Sequence, residues 1–312
     1  AFAYCYKLTD ITIPENVTSI GGNAFSYCNA LPSIIIPESV TSIGAYAFEA
    51  TNLTSITIPK NITSIPNGLF HHCSNLTDVS LPEGITSIGD LAFEGCQNLT
   101  NITIPKSVTQ IGGQAFSSCR SLTSITIPEG VTSIEDRTFR YCSSLENIHL
   151  PDNITSIGRM AFSRCSSLKS IHLPEQLTSI EDSMFRDCPN LTNIVIPKNV
   201  TSIGIGAFRN CTSLTDISIP TKVESIGKEA FRGCSKLAGI ITIPESVTQI
   251  GEYAFSQCSI LSGVYCRATL PPTLGANAFL DTSLVAICVP MASVEAYKND
   301  PSWKKYSNQI VG

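Results

Sequence analysis

Four side chains in this sequence stand where chemistry could be done: Glu146, His149, Lys169 and His172. His149 and His172 occupy one position of a repeat in two successive copies, and Glu146 and Lys169 share another. An imidazole titrates near neutral pH and can serve as base, proton shuttle or metal ligand. Catalysis, however, needs a nucleophile, an acid–base set or a metal constellation, and a zinc site needs a third protein ligand at least. Neither accompanies these four residues. They therefore read either as a solvated face or as a ligand-contact patch, and no catalytic residue, metal or cofactor is expected. The other two histidines, His71 and His72, lie beside Cys73 in a different part of the repeat.

What must position the four residues is the repeat itself. Leu8, Leu31, Leu53, Leu76, Leu99 and their successors to Leu284 open thirteen units with a step of 23 residues, apart from one step of 22 and a single insertion near Ile240–Ile241. The consensus is LTxIxIPxxVTSIGxxAFxxCxx. Internal periodicity of this length marks a stacked repeat architecture, because one unit cannot bury its own Leu, Ile and Phe while a stack can.

Each unit divides into three pieces. "LTSITIP" alternates and is rich in β-branched residues, so it predicts a strand. Ile102 and Ile104 face inward in one copy, with Thr, Ser, Asn or Asp outward between them. A proline ends the strand, since it lacks the N–H a ladder needs. Twelve of the 18 prolines, from Pro14 to Pro290, stand there. "VTSI" predicts a second short extended piece with Val108 and Ile111 inward. Glycine usually follows, yet Glu135 and Glu181 replace it, so this turn does not require positive φ. In "AFxxC" the spacing of Ala, Phe, Cys and the next Leu predicts one to two turns of helix with an apolar stripe.

All 13 phenylalanines share one slot of this third piece. A ring at fixed spacing reads as core, since each must bury about 150–250 Å². Eleven of the 13 cysteines, from Cys5 to Cys258, share another slot, and Thr51 fills it in the copy that lacks one. A slot that accepts Thr holds a small buried side chain. A column of inert thiols therefore fits better than disulfides or a metal site, and no CxxC pair occurs. Successive strands should lie about 4.8 Å apart, so that His149 and His172 would stack on the outward strand face about 5 Å from each other. Val195, Tyr265 and Cys288 also break the Thr/Ser pattern of that slot.

Apolar residues make up 43% of the 312 residues, enough for a core, and the net charge is −5. The charge lacks the basic excess of a nucleic-acid-binding face. No apolar run of about 18 residues predicts a membrane span. Arg140, Arg186, Arg209 and Arg232 share the slot after Phe, with Arg164 nearby, and Asp182, Asp187 and Glu229 interleave with them. This reads as a solvated face. The chain opens mid-unit, "AFAYCYK" matching the later tail "AFSYCNA", so an earlier repeat or a cap is expected upstream.

The pattern LxxIxIPxxVTSIGxxAFxxC from Leu8 to Ser259 resembles the BspA-like leucine-rich repeats of bacterial and protist surface proteins. The segment "VPMASVEAYKNDPSW" resembles the closing segment of bacterial members, with a capping helix over Ser293–Asn299 and Trp303 on the last rung. The resemblance implies a leucine-rich repeat solenoid, α/β but mostly β: a curved right-handed stack with a parallel sheet on its concave face and short extended segments and helical turns elsewhere. Residues 1–260 would form the array, with 1–7 the tail of a truncated repeat, and 261–312 the atypical last repeats and cap. The implied protein is extracellular or at the cell surface. It would recognise a host or microbial surface protein or glycan through the concave face, without enzymatic activity, nucleic acid or membrane insertion. The alternative of a different class is a structural spacer that projects another domain and has no ligand.

Overall fold

Repeating hydrophobic slots become repeating strands in the computed structural model, which describes residues 1–312. The chain forms two compact units: Ala1–Ile154 with Arg164–Ser166, and Thr155–Ser163 with Ser167–Gly312. In the first, Ser55–Thr57 pairs in parallel with Asp78–Ser80, and Ser124–Thr126 with Asn147–His149. The "VTSI" pieces make a second parallel ladder, Ser64–Ile65 to Ser87–Ile88 to Gln110–Ile111. In the second unit the same piece builds a five-stranded ladder from Ser179–Ile180 to Thr273–Leu274. There the first piece gives a four-stranded sheet of Gly239–Ile243, Leu261–Cys266, Ala286–Cys288 and Ile310–Val311. Register follows the repeat: Ile56 opposes Val79 and Ile203 opposes Ile226. Each unit is thus a parallel β-solenoid in which equivalent side chains sit in columns.

The third piece differs from the helix that its apolar spacing predicts. It is a chain of turns. In one coil Gln114 and Ser118 take left-handed φ values of 57° and 61°. Gly68, Gly95, Gly206 and Gly233 fill these two slots in other coils. The reason lies in where the N–H groups go. Those of Gln114, Phe116 and Ser118 donate to Asp136, Thr138 and Arg140 of the next coil, at 3.0, 3.0 and 2.7 Å. Those of Ala115, Ser117 and Cys119 donate back three residues, to Gly112, Gln114 and Phe116. Alternate donors are taken by the neighbour, so an i→i−4 helical ladder cannot form, and every amide is still satisfied.

These turns bring the phenyl rings into columns. Phe93, Phe116 and Phe139 stack in the first unit with centroids 5.3 and 5.7 Å apart. Phe185, Phe208, Phe231 and Phe255 do so in the second at 5.1–5.5 Å. The cysteines beside them are free. The buried thiols of the ladder, Cys28 to Cys258, donate to the carbonyl of the phenylalanine in the coil before, as Cys119 does to Phe93 and Cys211 to Phe185 at 3.2 and 3.1 Å, whereas Cys5 is exposed. Thr51 fits the slot because its hydroxyl donates to Phe48 O at 2.9 Å, the same carbonyl that accepts from Cys73. Burial pushes the Cys73 thiol up to about 11 and that of Cys142 to about 12. Thiols held protonated and enclosed are poor nucleophiles and metal ligands.

Where glycine follows "VTSI" it serves close approach rather than an unusual φ, and the coils of Glu135 and Glu181 do without it. A Cβ at Gly112 would lie 2.5 Å from the backbone nitrogen of Asp90 in the previous coil. At the C-terminal side a helix, Val294–Asn299, follows a 3₁₀ turn over Met291–Ser293. The helix starts one residue later than its sequence suggests. Trp303 is fully buried against Tyr297 and Phe279. No helix is long and apolar enough to cross a membrane.

Candidate functional site

Along each first-ladder strand the isoleucines form a floor and the residues between them point out. In the first unit, Asn101, Thr103, Ser124, Thr126 and His149 stand over Ile102, Ile104, Ile125 and Ile127, in a groove edged by Lys106 and Glu129. His149 closes its strand and opposes Thr126 in register, and it is exposed. Its carbonyl accepts from Ile127 at 3.0 Å. Glu146 is exposed and donates its N–H to Thr123 O at 2.9 Å. Lys169 and His172 are exposed too, on the strand face of the second unit. The four predicted residues therefore divide two and two between the units.

The hydroxyl rows of this face are partly structural. Thr77 and Thr123 donate their hydroxyls to the carbonyls of Thr54 and Thr100 one coil back, at 3.0 and 3.3 Å. Those donors are consumed in locking coil to coil. A further outward slot lies two residues beyond the strand's first outward position. In the second unit it carries His172, Val195, Ser218, Thr242, Tyr265 and Cys288 in turn. Cys288 is half-buried, opposite Tyr265 on one side and Val311 on the other. Two residues of this face escaped the sequence reading: Ile240, which is 66% exposed, and Arg267. The signal for Ile240 was the inserted residue, which shifts the register between Gly239 and Ile240.

The turn face holds a second polar set. His71 lies between two carboxylates from neighbouring coils, its Nδ1 3.0 Å from Glu49 and its Nε2 3.4 Å from Glu94. Ser26 donates to the other oxygen of Glu49 at 2.9 Å. Tyr46 meets the imidazole edge-on, and His72 lies with its ring centroid 4.0 Å away. The hydrogen bond to Glu94, reinforced by Glu49, raises the His71 pKa above its ordinary value against the opposing effect of burial. Burial, followed by the charge of His71, lowers that of His72.

The two shifts have opposite consequences for stability. The contribution of His71 is complete below about 6.5, its unfolded value, and is lost as pH rises through the raised folded value. For His72, stability is lost as pH falls from the same unfolded value through the lowered folded one. In thermal unfolding measured from about pH 5 to about pH 8, His71→Gln is expected to flatten the decline on the alkaline side of 6.5. An alkaline-side slope identical to the parent's would refute the Glu49–His71–Glu94 bridge.

The arginines after Phe are paired, as their acidic neighbours suggest. In the second unit Arg209 and Arg232 share Glu229 at 2.5 and 2.7 Å, and Arg186 lies 3.5 Å from Asp187. In the first, Arg140 and Arg164 both stack on Tyr141, 4.6 and 5.0 Å from its centroid. No group of three or more His, Cys, Asp or Glu side chains converges as a metal ion would require.

The coil just described is that of known repeat proteins. The pattern of the BspA type leucine rich repeat region, in 6 copies, matches residues 1–123, 87–212 and 178–300. A leucine-rich repeat protein from Bacteroides ovatus is similar over 86% of this chain and 75% of its own, with 34% identity and a TM-score of 0.71. One from Eubacterium ventriosum is similar over 82% and 78% respectively, with 28% identity and a TM-score of 0.61. A third structure is that of a leucine rich cell surface protein from Faecalibacterium prausnitzii, with 30% identity over 83% of this chain and 79% of its own and a TM-score of 0.47. No match is found among curated proteins. With its repeats matched along nearly the whole length and its coil built from them, the chain belongs to the BspA-type leucine-rich repeat family.

Proposed function

We propose that the chain is a non-enzymatic binding module of the bacterial cell surface that recognises a protein or glycan through its outward strand slots. One observation carries the reading. The inward slots of the strands repeat Ile, Leu or Val because packing dictates them, whereas the outward slots, free of packing, change from coil to coil. The strand backbones beneath are held by their neighbours, so these side chains stand on a rigid support, which lowers the entropy lost on binding. Repeat proteins recognise partners through such extended faces. Glu146 and His149 in the first unit, and Lys169 and His172 in the second, supply the ionisable contacts.

The test is an array of surface proteins, matrix proteins and glycans probed with this chain, followed by titration of each hit with the His149→Ala/His172→Ala variant. Loss of about tenfold in affinity or more, or about 1.4 kcal/mol, is the expected result. An unchanged dissociation constant would remove the histidines from the interface. The spacer reading has one observation in its favour. Outward strand slots hold Tyr265 but no Trp, and binding hot spots are enriched in both. Absence of any hit in the array would establish it.

A further inference from the structure

The strand face of the second unit departs from its own pattern most strongly around Ile240. One extra residue enters the strand there, Gly239 turns to a φ of 74°, and the register with the next strand shifts. The displaced Ile240 opposes Gly263, and a Cβ on that glycine would come within 3.0 Å of Ile240 Cγ1. The glycine is what leaves room for the isoleucine. The isoleucine nonetheless stays 66% exposed, and Val195 on the same face is 78% exposed. Both aliphatic side chains are thus presented to solvent in outward slots of the strands. Bulges of this kind re-aim side chains and concentrate near functional sites.

Charge surrounds these apolar groups unevenly. Asp216 and Glu245 line the groove with Ile240, Thr242 and Arg267. Both carboxylates are exposed, and neither forms an ion pair. The Arg267 guanidinium lies over the Tyr265 ring, 5.5 Å from its centroid, so its charge already has a favourable neighbour. The unmet electrostatic demand of the groove is for a cation.

Resting on the strand-face reading above, we propose that this groove docks a protein segment presenting a bulky apolar side chain beside a lysine or arginine. The apolar side chain covers Ile240, where burial yields about 25 cal/mol per Å². The basic one meets Asp216 and Glu245. A sugar would set its hydroxyls against the exposed aliphatic groups and leave them without partners. A polyanion would face two carboxylates.

The experiment uses the intact chain and synthetic peptides. Gly-Lys-Leu-Lys-Gly, its Leu→Ala analogue, Gly-Glu-Leu-Glu-Gly and a neutral oligosaccharide are titrated to millimolar concentration, with backbone amide shifts as readout. The lysine–leucine peptide should shift the amides of Gly239–Ile243 and Tyr265, and the acidic peptide should not. Ile240→Ser, and separately Asp216→Asn/Glu245→Gln, should each weaken that binding about fivefold or more. Both changes are at exposed positions, and an unchanged melting temperature verifies folding. Silence from the lysine–leucine peptide, equal binding of the acidic or alanine peptide, stronger shifts with the oligosaccharide, or undiminished binding by the variants would each overturn the proposal. His149→Ala/His172→Ala should leave this peptide's binding intact. An array partner that depends on those histidines and not on Ile240 would sink the groove while sparing the strand-face reading.

Discussion

Phe116→Ala is expected to destabilise the first unit by about 3–5 kcal/mol, while Phe2→Ala costs a small fraction of that. The two phenylalanines occupy one slot of the repeat and differ only in what lies around them. Phe116 is fully buried, with Phe93 on one side and Phe139 on the other, both rings within 3° of parallel. Phe2 is 40% exposed and stacks on Phe25 alone. Removing the inner ring opens a void that neither neighbour can close, because each is fixed by the coil beyond it and by turn amides that bond across coils. The thiol column keeps its own bond, since the Phe116 carbonyl that accepts from Cys142 at 3.1 Å belongs to the backbone and survives the change. Stability in a stack is roughly a sum of units and nearest-neighbour interfaces, so a defect at Phe116 weakens two interfaces and should broaden chemical unfolding as well as shift its midpoint. Equal midpoints for Phe116→Ala and Phe2→Ala would show that the ring column contributes little beyond local burial.

Trp303→Ala is expected to cost a similar amount, about 3–5 kcal/mol, and to make the protein self-associate. The indole is buried beside Tyr297 and Phe279, with centroids 5.1 and 6.3 Å away, and its N–H donates to Pro272 O at 2.7 Å. The Tyr297 hydroxyl in turn donates to Ala268 O at 2.8 Å. These contacts, with Tyr306 edge-on, leave Phe279 only 4% exposed. Without the indole, the end of the phenyl column meets water, and an open sheet edge with apolar side chains recruits other chains. Trp303→Phe keeps most of the cover and loses the hydrogen bond, so it should cost less, with a part of about 1–3 kcal/mol from the stranded carbonyl. Circular dichroism melting and sedimentation velocity on the three proteins decide the matter. A monomeric Trp303→Ala with the parent's melting temperature would refute the capping role.

Much of this was legible from the residues. In a parallel stack with a 23-residue step, residue i lies beside residue i+23 whatever the details of the coil. The columns of Phe116, of Cys119 and of Ile125 could therefore be assigned before any coordinates. Thr51 in the cysteine slot announced a small buried side chain, and the slot indeed offers a carbonyl to either group. The turns over Gln114–Cys119 were not legible. Apolar spacing at i, i+1, i+4 and i+7 fits a helix when a segment is considered by itself, and only the next coil's carbonyls divert every second amide. The bridge of His71 between Glu49 and Glu94 joins three residues of one slot, the one after Phe, so their adjacency followed from the period. Which imidazole nitrogen meets which carboxylate, and that His72 packs against the same ring, did not.

By itself the sequence determined which side chains share a column and which face inward, because parallel in-register stacking turns a period in the chain directly into adjacency in space. Only the tertiary structure decided how each coil's amides are shared with its neighbours, why Ile240 stands outside the core, and how the titratable groups of one turn-face column orient toward each other. Those outcomes depend on competition between coils for the same donors and the same room, and a reading of one repeat at a time cannot register that competition.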